Sequence, residues 1–119
     1  MPGTKIETER TPENCGRFLL PIKDALDVLN GKWRLLIIGS LTFGNKRFRE
    51  LARGIPGITD KMLSKELKDL EMNKLIKRTV HDAYPPVVEY SITEHGRTLG
   101  AVLQELHRWG SEHRKKIIG

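Results

Sequence analysis

One cysteine in 119 residues, Cys15, leaves no partner for an intramolecular disulfide and no basis for a multi-cysteine zinc cluster. Long apolar runs are missing too. The stretch 35–38 falls far short of the roughly 20 residues that a membrane span needs, so no membrane association is expected. The first fourteen residues are polar and mixed in charge, without the apolar centre of a signal peptide, and the chain reads as intracellular, most simply cytoplasmic. There is no internal repeat and no low-complexity tract. Catalytic groupings are equally scarce. His81-Asp82 reads as a turn rather than an acid–base pair, and His107 and His113 are six apart, outside the i,i+4 spacing that suits a metal. Gly54-Ile55-Pro56-Gly57 lacks the Lys and Ser/Thr of a phosphate-binding loop, and nothing resembles a nucleophile elbow. The expectation is a protein that is not an enzyme and needs no cofactor or metal.

Positive charge, by contrast, is present and localised. Residues 45–78 hold ten Lys/Arg against five Asp/Glu, a net of +5 in a chain whose total is +6. Residues 79–119 balance at zero. A basic stretch confined to one compact segment suits a polyanion, most simply double-stranded DNA.

The pattern of elements sharpens this expectation. Residues 1–14 read as a flexible arm, with Pro2-Gly3 and Thr11-Pro12 as breakers, and 15–119 as a single domain. A first helix is expected from Pro21, where Ile22, Ala25, Leu26 and Leu29 recur at helical spacing and Asn30-Gly31 ends the run. A second, from Lys32 to about Leu41, is apolar on most sides and should be the buried centre. A short third helix over 47–53 turns Phe48, Leu51 and Ala52 inward. After the Gly54–Gly57 break, Thr59 and Asp60 suit the start of a fourth helix running to Asn73. Two strands, 76–81 and 87–92, flank a proline-stiffened turn, and a long last helix follows Thr93.

On the fourth helix, a turn of about 100° per residue places Leu63, Leu67 and Leu70 on the core stripe. Lys61, Ser64, Lys65 and Lys68 fall on nearly the opposite side, with Asp69 and Glu71 at its flanks and Glu66 at the core border. A solvated face accounts for lysines on a single helix. The preceding short helix and glycine turn, however, are helix–turn–helix grammar, and Lys77, Arg78, His81 and Tyr84 add a basic ribbon beside it. The candidate DNA contacts are therefore Arg47, Arg49, Thr59, Lys61, Ser64, Lys65, Lys68, Lys77, Arg78, His81 and Tyr84. The fold class expected is mostly α with a small β-hairpin wing, a winged helix-turn-helix. Coating of nucleic acid without sequence preference and service as a protein-interaction module stay open as alternatives.

Several blocks carry a family resemblance. They are Gly31-Lys32-Trp33-Arg34-Leu35-Leu36-Ile37-Ile38, Arg47-Phe48-Arg49-Glu50-Leu51, Ile55-Pro56-Gly57-Ile58-Thr59 and Met62-Leu63-Ser64-Lys65-Glu66-Leu67-Lys68-Asp69-Leu70. A fifth is Tyr84-Pro85-Pro86-Val87-Val88-Glu89-Tyr90-Ser91-Ile92-Thr93. Together they resemble the HxlR-type winged-helix transcriptional regulators, related to the MarR-like group. The resemblance implies a bacterial homodimer that reads DNA with helix 59–73 and a wing at 76–92. Many members carry a cysteine directly before the proline of the first helix. Here that place is Leu20, so a sensing role does not carry over, and Cys15 is the one redox candidate, with an ordinary thiol as the alternative. Leu99, Val102, Leu103, Leu106, Gly110 and Ile117 share a stripe of the last helix, with Trp109 at its edge. With Ile22 and Leu26 of the first helix, this stripe is the expected dimer surface, intramolecular packing being the alternative. A small-molecule effector, in a pocket between the dimer helices and the core, stays open, though no polar cluster marks such a pocket.

Overall fold

The computed structural model describes residues 11–119, which divide into two compact units between Gly31 and Lys32. The first unit contributes one helix, α1 (Pro12–Val28). It begins nine residues before the expected start at Pro21. Thr11 is its N-cap, accepting a hydrogen bond from the Asn14 N–H at 3.1 Å, and Pro12 occupies the first turn, where its missing N–H costs nothing. Thr11-Pro12 is thus a start signal, not a breaker. Pro21 lies inside the helix and leaves the carbonyl four residues back without its usual donor. Of the arm expected over 1–14, residues 1–10 lie outside the described residues and Pro12 to Asn14 are helical.

The second unit begins with α2 (Arg34–Leu41), α3 (Phe48–Gly54) and α4 (Asp60–Met72). A hairpin, β1 (Ile76–His81) and β2 (Val87–Ile92), comes next, then α5 (Glu94–Arg97) and α6 (Gly100–Ile118). The strands pair antiparallel from Ile76↔Ile92 to His81↔Val87. Lys46 joins their outer edge, its N–H and carbonyl both bonded to Tyr90, and so ties the entry of α3 to the wing. The core is contributed by every layer: Ile37, Ile38 and Leu41 from α2, Leu51 from α3, Leu63, Leu67 and Leu70 from α4, and Ile76, Tyr90 and Ile92 from the hairpin. α2 is less uniformly buried than its composition suggests, since Leu36 is half exposed.

The long last helix expected after Thr93 is two helices. Thr93 caps a single turn, α5, by accepting from the Gly96 N–H at 2.9 Å. The chain then tightens through i→i+3 bonds, Thr98 N–H to the His95 carbonyl and Leu99 N–H to that of Gly96, before α6 starts. Packing fixes the glycine within this turn. A Cβ on Gly96 would collide with the Leu75 carbonyl and the Ile92 side chain, so α5 is pressed directly onto the base of the hairpin.

That base is also where α4 stops. Lys74 N–H donates to the Glu71 carbonyl and Leu75 N–H to that of Leu70, both at 3.0 Å, which is a Schellman closure with Lys74 in the left-handed region at φ 62°. Lysine at that position is strained where glycine is not. Lys74→Gly should therefore raise unfolding free energy by about 0.5–1 kcal/mol. Gly96→Ala should lower it by about 1–3 kcal/mol, because backbone must move to admit the methyl group. Urea unfolding of the two variants checks both signs.

Candidate nucleic-acid interface

α3 and α4 meet through the turn 55–59. Gly57 adopts φ 86°, which side chains avoid, and the Trp33 ring lies 3.7 Å from where its Cβ would stand, so the turn is tight and covered on one side. Thr59 then caps α4, its hydroxyl accepting from the Met62 N–H at 3.1 Å. The Leu63–Leu67–Leu70 stripe anchors the helix in the core, and that rotation leaves Lys61, Lys65 and Lys68 exposed, with Ser64 half-buried among them.

By count α4 is not a basic helix. It carries three lysines against four acids, Asp60, Glu66, Asp69 and Glu71. What makes its outer face cationic is where the acids go. Arg34 of α2 reaches across to α4 and donates Nε–H to Glu66 at 3.2 Å and an Nη2–H to Asp69 at 2.7 Å. Arg34 and Glu66 are almost wholly buried, their side chains 12% and 10% exposed. Asp60 is taken by Arg49 of α3 in a two-pronged contact, Nη1 to Oδ1 at 3.3 Å and Nη2 to Oδ2 at 2.8 Å. Three of the four acids are thus neutralised by arginines from other helices. Among the described residues no acid pairs with Lys61, Lys65, Lys68, Lys77 or Arg78.

The remaining residues singled out from the sequence are placed as follows. Arg47 is the N-cap of α3, exposed, its own N–H held by the Glu50 carboxylate at 2.8 Å. Lys77 and Arg78 are exposed on β1. His81 Nε2 lies 3.1 Å from Glu89, its diagonal neighbour across the ribbon, so this imidazole has a partner in the fold. Tyr84 stands fully exposed in the hairpin turn. On α6, Val102, Leu106 and Trp109 are exposed while Leu99 and Leu103 are half-buried, and no residue of that helix is fully buried. Trp109 stacks on His113 at 4.8 Å, and Arg108 holds the Glu105 carboxyl below its ordinary range by hydrogen bond and charge. Ile22 and Leu26 are exposed on α1, as is the Cys15 thiol.

Sequence reading did not locate two features. One is the Arg34 bridge, because a basic residue within an apolar run gives no sign of partners 32 and 35 positions away. The other is an open groove of about 740 Å³ between α2 and α6, lined by Leu35, Leu36, Gly39, Phe43, Leu103 and Leu106 with Lys32 and His107 among its polar members. Among the described residues no group of three or more His, Cys, Asp or Glu is placed to hold a metal, and no helix is long and apolar enough to cross a membrane.

A helix pair joined by a glycine turn, with a β-ribbon behind a second helix whose exposed face is cationic, defines a winged helix-turn-helix DNA-binding protein. The chain belongs to the HxlR-like helix-turn-helix family, whose model matches residues 28–117. It is similar to the uncharacterized HTH-type transcriptional regulator YtcD of Bacillus subtilis (strain 168), at 40% identity over 87% of this chain and 82% of that one. The HTH-type transcriptional regulator YodB of the same organism is 41% identical over 82% of this chain and 88% of its own. Among solved structures, the redox regulator HypR in its reduced form superposes with a TM-score of 0.77 at 39% identity, covering 82% of this chain and 96% of that chain. A transcriptional regulator with a helix-turn-helix domain is the class these findings establish, and DNA binding follows from that class.

Breaking the bridge between α2 and α4 should expose its importance. Arg34→Ala leaves the Glu66 carboxylate buried without this arginine and should cost about 3 kcal/mol of stability. Replacing both partners with apolar residues, Arg34→Met with Glu66→Leu, should recover most of that loss. Equal instability of the single and double variants in urea would contradict the pairing.

Proposed function

We propose that this chain is a dimeric, sequence-specific transcriptional regulator that reads an inverted-repeat operator. α4 enters the major groove, and the wing grips flanking DNA through Lys77, Arg78, His81 and Tyr84. The observation that carries this reading is the partition of charge on α4, with exposed lysines and arginine-paired acids. Lys61, Lys65 and Lys68 supply phosphate or guanine contacts, Ser64 a short-range hydrogen bond, and Arg47 and Arg49 contacts from the first helix of the pair. A twofold dimer sets two such helices about 34–36 Å apart, the repeat of successive major grooves. The apolar residues exposed on α6, and separately those on α1, are its proposed contact surfaces.

Competition between DNA flanking the protein's own gene and random duplex, at two salt concentrations, tests the specificity. Preference for one fragment that survives added salt is expected; equal, salt-fragile binding would instead make this a general nucleic-acid coat. Lys61→Ala with Lys65→Ala should weaken binding and reduce the log–log salt slope by about 0.9 for each phosphate that is no longer neutralised. An unchanged slope would remove this face of α4 from the interface. Trp109→Ala should shift the protein toward monomer in analytical ultracentrifugation at micromolar concentration. A variant as dimeric as the parent would take Trp109 out of the dimer interface.

A further inference from the structure

We infer that Asp60 assists DNA binding by holding Arg49 poised to clamp a backbone phosphate where α3 and α4 converge. The inference rests on the reading above, that α4 docks on duplex DNA. Asp60 is the first residue of α4 and is exposed, so by charge alone it should repel the phosphates that the neighbouring lysines attract. Its geometry argues otherwise. The carboxylate takes the outer end of the guanidinium, Nη1 and Nη2, at 3.3 and 2.8 Å. A guanidinium has five N–H donors in a fixed plane, so this end-on contact leaves the side edge, Nε–H and the second Nη2–H, available for another bidentate acceptor.

Among the described residues nothing else accepts from Arg49. The Phe48 ring lies beside it, its centroid 5.7 Å from Cζ. Arg49 is thus fixed at its tip and steadied along one face while 65% exposed. A long side chain ordered in advance loses less freedom on binding than one that must be ordered by the ligand. Arg49 also sits on the first helix of the pair, the one that crosses the DNA backbone in this architecture, which makes a phosphate its natural acceptor. An alternative use of Asp60, as a helix-start charge, predicts an effect on stability alone, and Thr59 already caps the helix.

The two accounts differ in sign. The experiment measures affinity of the full chain for its preferred operator fragment by fluorescence anisotropy across a salt series. The variants are Asp60→Asn, Asp60→Glu, Arg49→Ala and the Arg49→Ala/Asp60→Asn pair, each followed through thermal unfolding. If Asp60 positions Arg49, Asp60→Asn binds roughly five- to tenfold more weakly although a negative charge has been removed. Arg49→Ala weakens binding at least as much and lowers the salt slope by about 0.9, and Asp60→Asn adds nothing in the Arg49→Ala background. Asp60→Glu, which keeps the charge and the favourable helix start but shifts the carboxylate, also weakens binding and carries the test should the asparagine variant not fold. Affinity equal to or tighter than the parent's for Asp60→Asn, or full additivity with Arg49→Ala, overturns the proposal and leaves Asp60 a repulsive or merely helix-stabilising charge. A parent protein that binds no duplex overturns the DNA reading itself, a result separable from either of these.

Discussion

Arg34 is the pivot of the second unit. Without it, α4 would carry a buried Glu66 and a half-buried Asp69 on a helix that, on the proposed reading, approaches a polyanion. With it, both acids are drawn toward α2, the helix that supplies Ile37, Ile38 and Leu41 to the core. The same contact does two jobs. It satisfies charges that could not otherwise be buried, and it fixes the rotation of α4 about its axis, because Glu66 and Asp69 lie one turn apart. That rotation decides that Lys61, Lys65 and Lys68 point outward. A leucine stripe alone specifies the inner face to within tens of degrees; a guanidinium with two defined acceptors narrows it.

The position of the wing relative to α4 depends on a second, smaller knot at the end of that helix. Thr93 connects three segments: its N–H donates to the Leu75 carbonyl at 3.1 Å, its hydroxyl lies 2.7 Å from the Lys74 carbonyl, and it caps α5 through Gly96. Gly96 has no side chain because Leu75 stands where one would go. The exit of α4, the start of β1, the end of β2 and the start of α5 are therefore bonded together within a few residues. On the proposed reading this matters for recognition, since a wing free to swing would lose on binding the entropy that a fixed one has already lost in folding. The strain accepted at Lys74, in left-handed backbone, is consistent with a junction selected for its geometry.

Much of this was legible in the sequence wherever the signal was local. The bounds of β1 and β2, the Thr59 cap, the Leu63–Leu67–Leu70 core stripe and the outward lysines all follow from periodicity and turn chemistry. The misreadings also have local causes. Pro12 and Pro21 carry the same helix-start signal, and only the cap at Thr11 decides between them. Thr93 signals a helix start, but nothing near it announces that this helix stops after one turn, with Gly96 packed against Leu75, and that another starts at Gly100. Long-range pairing left no trace at all. Arg34 with Glu66, and Arg49 with Asp60, join residues whose spacing obeys no period, so a bare count of charges on α4 misleads without their partners.

Charge partition alone would still make a weak reader. Three lysines on one helix give contacts that are mostly sequence-blind, and binding of that kind lies at about 10⁻⁴–10⁻⁶ M at physiological salt. Two linked copies change the arithmetic, because the second recognition helix then binds at a high effective concentration, and a site with the wrong half-site spacing loses that gain entirely. A regulator that reads an inverted repeat therefore needs an apolar surface as much as a basic one. On the proposed reading the chain supplies it in Val102, Leu106 and Trp109, exposed on α6 beside a groove lined by Leu36 and Phe43. On the proposed reading the cationic face brings affinity for any duplex, the Arg34 bridge holds that face at one angle, and the apolar face turns two such helices into a ruler for a single spacing.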